Sequence, residues 1–360
     1  MKAVCIALLI LMLASPTLPG LWSRDARADA PLSAQPLNQA GLVVQFGDGG
    51  YIGRCVSFAE ETITGLELLQ RSGLDVSNQG AAICRIEREG CNYPEEPCFC
   101  QCDLSTPSCH YWTYWHWSND TWRASGSGAG QYRLGPDDID GWNWLGGPPS
   151  VHIALAELCD PLRTALRRPI VNATCNAIEV RLAYQGDAND DGSVRMRLRE
   201  VGAPWPAEST PLQREAAAYH LRVSDLPTGD YELDLHTNDP DGVNGTDIWV
   251  LSTTVGTVAD WLVDRPTPWI GERLTFTDAS RGVQPTSQSW DWGDGSPVQS
   301  GREVTHTYKA AGPYTVTLTV ESECGESVLQ RGIEVRSRRL IFPKLYGNAV
   351  VPYPWKESTS

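Results

Sequence analysis

Tyr111-Trp112-Thr113-Tyr114-Trp115-His116-Trp117 places a tyrosine, tryptophan or histidine at every position but Thr113. A strand turns successive side chains to opposite faces. Read as a strand, the stretch puts Tyr111, Thr113, Trp115 and Trp117 on one face and Trp112, Tyr114 and His116 on the other. One of these faces can be core. The second aromatic face is expected to be a binding surface, because large exposed apolar patches usually mark one. Cys98, Cys100, Cys102 and Cys109 crowd the chain just upstream, and Trp122, Trp142 and Trp144 follow.

Working outward toward the N-terminus, Leu42 to Phe46 reads as a strand. Gly47-Asp48-Gly49-Gly50 supplies hairpin turn chemistry, and Tyr51 to Phe58 reads as the return strand. Thr64-Gly65-Leu66-Glu67 is a capping box, in which the threonine side chain caps the Glu67 amide while Glu67 reaches back. A short helix follows, expected to bury Leu66 and Leu69 and to stop at Gly73. Hairpin, helix, cysteine-rich strands and aromatic strand together make an α+β pattern.

Residues 1–30 read as a signal peptide. Lys2 is the positive n-region, Ala3 to Ala14 the apolar h-region and Ala28-Asp29-Ala30 the cleavage site. The apolar run is too short to span a bilayer, and no transmembrane segment is expected in the mature chain. The expected location is secreted, extracellular or at the cell envelope surface. A net charge of −15 repels phosphate backbones, which excludes nucleic acid as a partner. With 33 glycines, 25 prolines and 20% charged residues, the composition favours turn-rich β domains.

Cys55, Cys84, Cys91, Cys98, Cys100, Cys102, Cys109 and Cys159 form an even, clustered set, which in an exported chain reads as a disulfide framework. Spacing leaves the pairing open. Cys175 and Cys324 stand apart. The C-x-C-x-C run next to His110 lacks the C-x₂-C spacing of zinc sites, so no metal is expected there. The expected organisation is a signal peptide (1–30), a Cys/Trp-rich α+β domain (31–160), a linker (161–176), two β-sandwiches (177–255 and 256–336) and a tail (337–360). The fold class is thus mainly β and multidomain, a disulfide-rich α+β domain followed by two immunoglobulin-like sandwiches. The sandwich reading rests on short alternating runs such as Ile178 to Leu182, Val194 to Leu198, Tyr231 to Leu235 and Thr315 to Val320.

Three family resemblances follow. Trp290-Asp291-Trp292-Gly293-Asp294-Gly295-Ser296, with His306-Thr307-Tyr308, Gly312 and Tyr314-Thr315-Val316, resembles the PKD domain, an immunoglobulin-like sandwich that implies a spacer or adhesion module. The middle unit resembles a fibronectin type III-like sandwich through its strand spacing and the turn Asp239-Pro240-Asp241-Gly242. The first unit resembles the C-terminal domain of the transcobalamin and intrinsic factor family and its bacterial secreted relatives. That likeness rests on Thr64-Gly65-Leu66-Glu67-Leu68-Leu69, Tyr111-Trp112-Thr113-Tyr114 and Gly128-Ala129-Gly130-Gln131-Tyr132. It implies that Tyr111, Trp112, Tyr114, Gly128, Ala129, Gly130, Gln131 and Tyr132 lie near a corrinoid ligand, with no other cofactor. The helical barrel that closes the animal site has no counterpart here, so the site would be open on one side.

Asp187-Ala188-Asn189-Asp190-Asp191-Gly192 matches the start of a calcium loop, but its twelfth position is Leu198, and strands flank it. A hairpin loop is expected instead. Asp137, Asp138 and Asp140 read as solvated turn residues, and His116 as a hydrogen-bonded neighbour of the core. No nucleophile–base pair is visible along the chain, and no H-E-x-x-H, G-x-S-x-G or phosphate loop occurs. The expected function is non-enzymatic: a ligand-binding protein holding cobalamin or another flat, partly apolar molecule on the aromatic strand. The alternative is a surface adhesion or structural protein that binds glycan or protein through its sandwiches.

Overall fold

The computed structural model describes residues 37–102, 109–144 and 146–337; the expected signal peptide and all of the expected tail beyond Ser337 lie outside them. The chain is mainly β, arranged around three large apolar cores and a smaller fourth one.

The first body is built on a five-stranded sheet. Its strands are β1 (Asn38–Gln45) and β2 (Tyr51–Phe58). After α1 (Gly65–Arg71) and β3 (Ala82–Ile86) come β4 (Thr113–Ser118), β5 (Thr121–Ala124) and β6 (Ile139–Asn143). The sheet order is β2-β1-β6-β4-β5. Strand β1 runs parallel to β6, and all other neighbours are antiparallel. Because β1 is central and covered on both sides, Leu42, Val43 and Val44 are all fully buried, the unbroken apolar run expected of such a strand. Leu42 and Val44 face one core together with α1, while Val43 faces a smaller one with Ile139, Ile153 and Leu158.

Both halves of the capping box are present. The Glu67 amide donates to Thr64 Oγ1 at 3.1 Å, and the Thr64 amide donates to Glu67 Oε2 at 2.7 Å. The buried stripe of α1 is Gly65, Leu68 and Leu69, an i, i+3, i+4 face. Leu66, expected inside, is only partly buried against the core.

The eight clustered cysteines pair as Cys55–Cys159, Cys84–Cys98, Cys91–Cys100 and Cys102–Cys109. The C-x-C-x-C run therefore sends successive cysteines to three different partners. Cys55–Cys159 ties β2 to the end of the short helix α2 (Leu155–Leu158).

In the middle body, β7 (Ile178–Gly186), β8 (Ser193–Glu200), β9 (Ala218–Val223), β10 (Gly229–Asn238) and β11 (Ile248–Val255) form two facing sheets. Residues 161–176, expected as a linker, carry two strands of this body. Thr164–Leu166 and Ile170–Ala173 both pair antiparallel with β7. Each strand is too short to show an alternation of its own, and the prolines at 161 and 169 flank the strands instead of marking open chain.

The third body contains β12 (Leu274–Asp278), β13 (Ser287–Asp291), β14 (Glu303–His306), β15 (Gly312–Ser322) and β16 (Gly325–Val335). Val316, Leu318 and Val320 of β15 are fully buried, as their alternation requires. The Trp-Asp-Trp-Gly-Asp-Gly run has a packing logic. Trp290 and Trp292 are fully buried and stacked, ring centroids 5.9 Å apart. His306 stacks on Trp292 at 4.5 Å and bonds to Asp294 at 2.9 Å, and the Tyr308 hydroxyl donates to the Trp292 carbonyl. Gly293 has φ +70°, and a Cβ there would lie 2.4 Å from the Thr315 carbonyl oxygen, so only glycine suits the turn.

The bodies are joined by specific contacts. Arg168 bonds to Glu89 at 2.8 Å and to Asp48 at 2.5 Å while its guanidinium lies over the Phe46 ring. The Thr246 amide donates to the Tyr51 carbonyl. Asn244, one of three N-x-T sequons with Asn119 and Asn172, is 1% exposed and donates to the carbonyls of Glu157 and Leu158. In the folded chain it therefore acts as a bolt between bodies, closed to a glycan. Cys175–Cys324 staples the middle body to the third, beside Arg281, which pairs with both Asp230 and Asp260 at 2.8 Å.

Candidate functional site

Strand β4 leaves its partner early. Its pairing with β5 ends at Trp115 opposite Ala124, with one more bond from the Ser125 amide to the Tyr114 carbonyl. Beyond Ser125 the chain turns away toward α1, where the Leu66 amide donates to the Ala129 carbonyl. A groove of about 500 Å³ opens where the two strands part. Ala82 and Ile83 of β3 and Phe99 of the disulfide-bonded segment line one side, and Ser125, Ser127, Gly128 and Ala129 line another. Tyr111, Trp112, Tyr114, Trp115 and Trp142 supply its aromatic surface. No Asp, Glu, Lys or Arg is among its lining residues.

Five of the eight residues implied by the family resemblance meet here: Tyr111, Trp112, Tyr114, Gly128 and Ala129. Gly130, Gln131 and Tyr132 do not line the groove. Tyr132 lies instead against His116, ring on ring at 3.5 Å.

The aromatic strand is not a free-standing platform. Trp112 is 6% exposed and packs against Phe46 and Trp144. On the opposite face, Trp117 stacks on His152 at 3.7 Å and meets Trp122 edge-on. The Trp122 indole donates to the Val151 carbonyl. Residues following β6 thus fold back and cover the Trp117 end of that face, while Trp115 on the same face lines the groove. What remains open is the end of the run: Tyr111 is 46% exposed, beside Phe99 at 48%.

Behind the groove lies a polar chain that sequence reading missed. Asp140, expected as a solvated turn residue, is 1% exposed. It accepts a bond from the Tyr114 hydroxyl on one oxygen and meets His116 Nδ1 at 2.7 Å on the other. His116 Nε2 lies 2.8 Å from Ser125 Oγ. Burial pushes the Asp140 carboxyl above its usual range, against the opposing pull of His116 and Tyr114. Burial, with Asp140 alongside, also pushes the Tyr114 phenol up. The three residues Ser125, His116 and Asp140 come from a loop and two strands, and no local motif links them. The one sequence signal was the polar His116 in an otherwise aromatic strand, opposite Asp140 in register.

Gly65 makes room for this chain. A Cβ at that position would sit 1.7 Å from Tyr114 Oη and 2.9 Å from Asp140 Oδ2. Gly65→Ala is therefore expected to drive the Tyr114 hydroxyl off Asp140, at a cost of about 1–3 kcal/mol from overpacking. The urea midpoint of the variant should fall while the m-value stays unchanged.

Among the described residues one group could hold a metal. Carboxylate oxygens of Asp187, Asp191 and Asp239 lie within 4.8 Å of one another. Two of these residues come from the Asp187–Gly192 loop and the third, Asp239, from the turn after β10, far along the chain from that loop. Asp187 is also the buried partner of Arg214, and Asp239 accepts from the Thr164 amide and hydroxyl. These bonds tie the loops of the middle body together.

Residues 270–336 match the family model described as the PKD domain. Among solved structures, the PKD1 domain of Vibrio anguillarum Epp is 26% identical, covering 23% of this chain and 95% of its own, with a TM-score of 0.20. The amphioxus IgVJ-C2 molecule is 12% identical, covering 46% and 99%, with a TM-score of 0.22. The N-terminal four Ig domains of Dscam1 isoform 1.9 are 11% identical, covering 85% and 74%, with a TM-score of 0.21. No curated protein matches the chain. The third body is thus PKD-like over 270–336. The expected boundary at 256 takes in the additional strand Trp261–Val263, which pairs with β12. The resemblances of the first and middle bodies rest on their sequence motifs.

Proposed function

We propose that this chain is an exported surface protein whose first body holds a ligand in the aromatic groove, with the two sandwiches as its stalk. Residues 1–30 would direct export, and 31–160, 161–255 and 256–336 would be its functional domains, the middle one taking in the strands Thr164–Leu166 and Ile170–Ala173. The observation that carries the reading is the groove itself. It is concave, within the size range of small-molecule sites, and lined by aromatic rings and small residues without ionic groups. In a chain of net charge −15, that composition favours an uncharged ligand with a flat apolar face. A corrinoid fits this description and is the ligand the family resemblance implies. Only part of so large a molecule would enter, which agrees with a site lacking its second wall.

The test is a calorimetric titration of cyanocobalamin into residues 31–360. Saturable heat with a Kd below ~100 μM, about 5.5 kcal/mol of binding, is expected. No heat at that concentration would remove the corrinoid reading. An adhesion role through the sandwiches has its own observation: Ile248 and Val250 are 48% and 64% exposed on β11, an edge strand. Such edges are ready partners for another chain.

A further inference from the structure

Ser125, His116 and Asp140 have the mutual geometry of an acyl-transfer site. Ser125 Oγ is 2.8 Å from His116 Nε2, and His116 Nδ1 is 2.7 Å from Asp140 Oδ1. The order is nucleophile, base, then a buried carboxylate that orients the base, which is how such a triad is recognised on any fold. Each part is held from more than one side. The second oxygen of Asp140 takes the Tyr114 hydroxyl. The His116 ring is clamped between Tyr132, stacked at 3.5 Å, and Tyr114, edge-on at 4.6 Å. Ser125 lies on the groove wall, in a glycine- and serine-rich turn, with the Ser127 amide directed at its Oγ from 3.4 Å.

We propose that Ser125 is a nucleophile toward ester-bearing ligands seated in the groove, with His116 as general base and Asp140 as the positioning residue. The inference rests on the groove reading for its substrate, a neutral carboxylic ester. Ser125 Oγ attacks the ester carbonyl carbon as its proton passes to His116 Nε2. The tetrahedral intermediate then collapses, the carbon–oxygen bond to the leaving alcohol breaks, and that alcohol takes the proton from Nε2. Water attacks the acyl-Ser125 ester with His116 again accepting a proton. The carboxylic acid leaves, and Ser125 Oγ regains its proton. The hydroxyl proton has two acceptors in reach, Nε2 and the Ser127 carbonyl at 2.6 Å, and its turn toward Nε2 starts the reaction.

The experiment treats residues 31–360 with a fluorophosphonate–rhodamine probe, locates the adduct by mass spectrometry, and follows p-nitrophenyl butyrate hydrolysis in parallel. A single adduct on Ser125 is expected. Labelling should vanish in Ser125→Ala and fall at least 100-fold in His116→Gln, with thermal melts confirming that each variant is folded. In Asp140→Asn, an amide would donate to Nδ1 and leave the proton on Nε2. Labelling should then fall most near neutral pH and recover as pH rises, a change in profile that a packing defect would not produce. If Asp140→Asn fails to fold, Ser125→Ala and His116→Gln still decide the matter. No labelling above a heat-unfolded control, or labelling that survives Ser125→Ala, would overturn the proposal. Cyanocobalamin heat without label fails the triad alone; label without cyanocobalamin heat fails the corrinoid reading alone.

Discussion

Trp112→Ala is expected to destabilise the first body by about 3–5 kcal/mol, the range for truncating a large buried aromatic. Trp112 joins three parts of the molecule. Its ring packs edge-on against Phe46 at the end of β1 and lies 5.3 Å from Trp144. Its indole donates to the Glu89 carbonyl in the cysteine-rich segment, at 3.3 Å. Removing it opens a cavity beneath the groove and leaves a carbonyl without its donor. Tyr111→Ala, one position away and 46% exposed, should change stability by less than about 1 kcal/mol. Urea denaturation of both variants of residues 31–360, read by tryptophan emission and circular dichroism, checks the contrast. Equal, small losses would mean that Trp112 does not anchor the groove.

Joint replacement of Cys55 and Cys159 by serine is expected to cost about 4–5 kcal/mol, since the bridge closes a span of 104 residues and so restricts the unfolded chain strongly. The Cys102–Cys109 bridge spans 7 residues, and its removal should cost roughly half as much in the same chain-entropy picture. The larger effect also has a native-state reason. Leu158, beside Cys159, packs in the smaller core with Val43 and Ile139, so release of the bridge frees α2 from the back of the sheet. Guanidinium unfolding of the two double variants gives the comparison. A Cys55/Cys159 variant no less stable than the Cys102/Cys109 variant would show that the long bridge is slack.

Local signals in the sequence carried much of this architecture. The glycine-rich turn before Tyr51, the Thr64–Glu67 capping box and the alternation of Val316, Leu318 and Val320 each depend on residues within a few positions. Each has the structure its chemistry implies. The Trp290 to Ser296 run was legible for the same reason, as a tight turn flanked by stacking residues. What stayed hidden depends on distant segments. That the Trp117 end of the second aromatic face of β4 is covered follows from Val151 to Leu158 folding back, and nothing within the strand encodes it. The strands at Thr164–Leu166 and Ile170–Ala173 acquire their identity from β7, which follows them in the chain. Asp140 resembled its solvated neighbours Asp137 and Asp138, yet its place opposite His116 buries it. The third carboxylate near the Asp187 loop arrives from a turn some fifty residues on.

The candidate site divides in the same way. Tyr111, Trp112 and Tyr114 were legible because an aromatic run is conspicuous. Ser125 was not, because a serine among glycines reads as a turn. Its meaning comes from His116 and Asp140, which adjacent strands bring to it.

On the proposed reading, the groove beside Tyr111 is the surface that receives the small-molecule ligand. The most direct measurement is a tryptophan-fluorescence titration of residues 31–360 with cyanocobalamin, run beside Tyr111→Ala and Val250→Ser. Saturable quenching is expected in the unaltered chain, weakened at least tenfold in Tyr111→Ala and unchanged in Val250→Ser on the exposed edge of the middle body. No saturable signal up to ~100 μM, or equal affinity in Tyr111→Ala, would contradict the account.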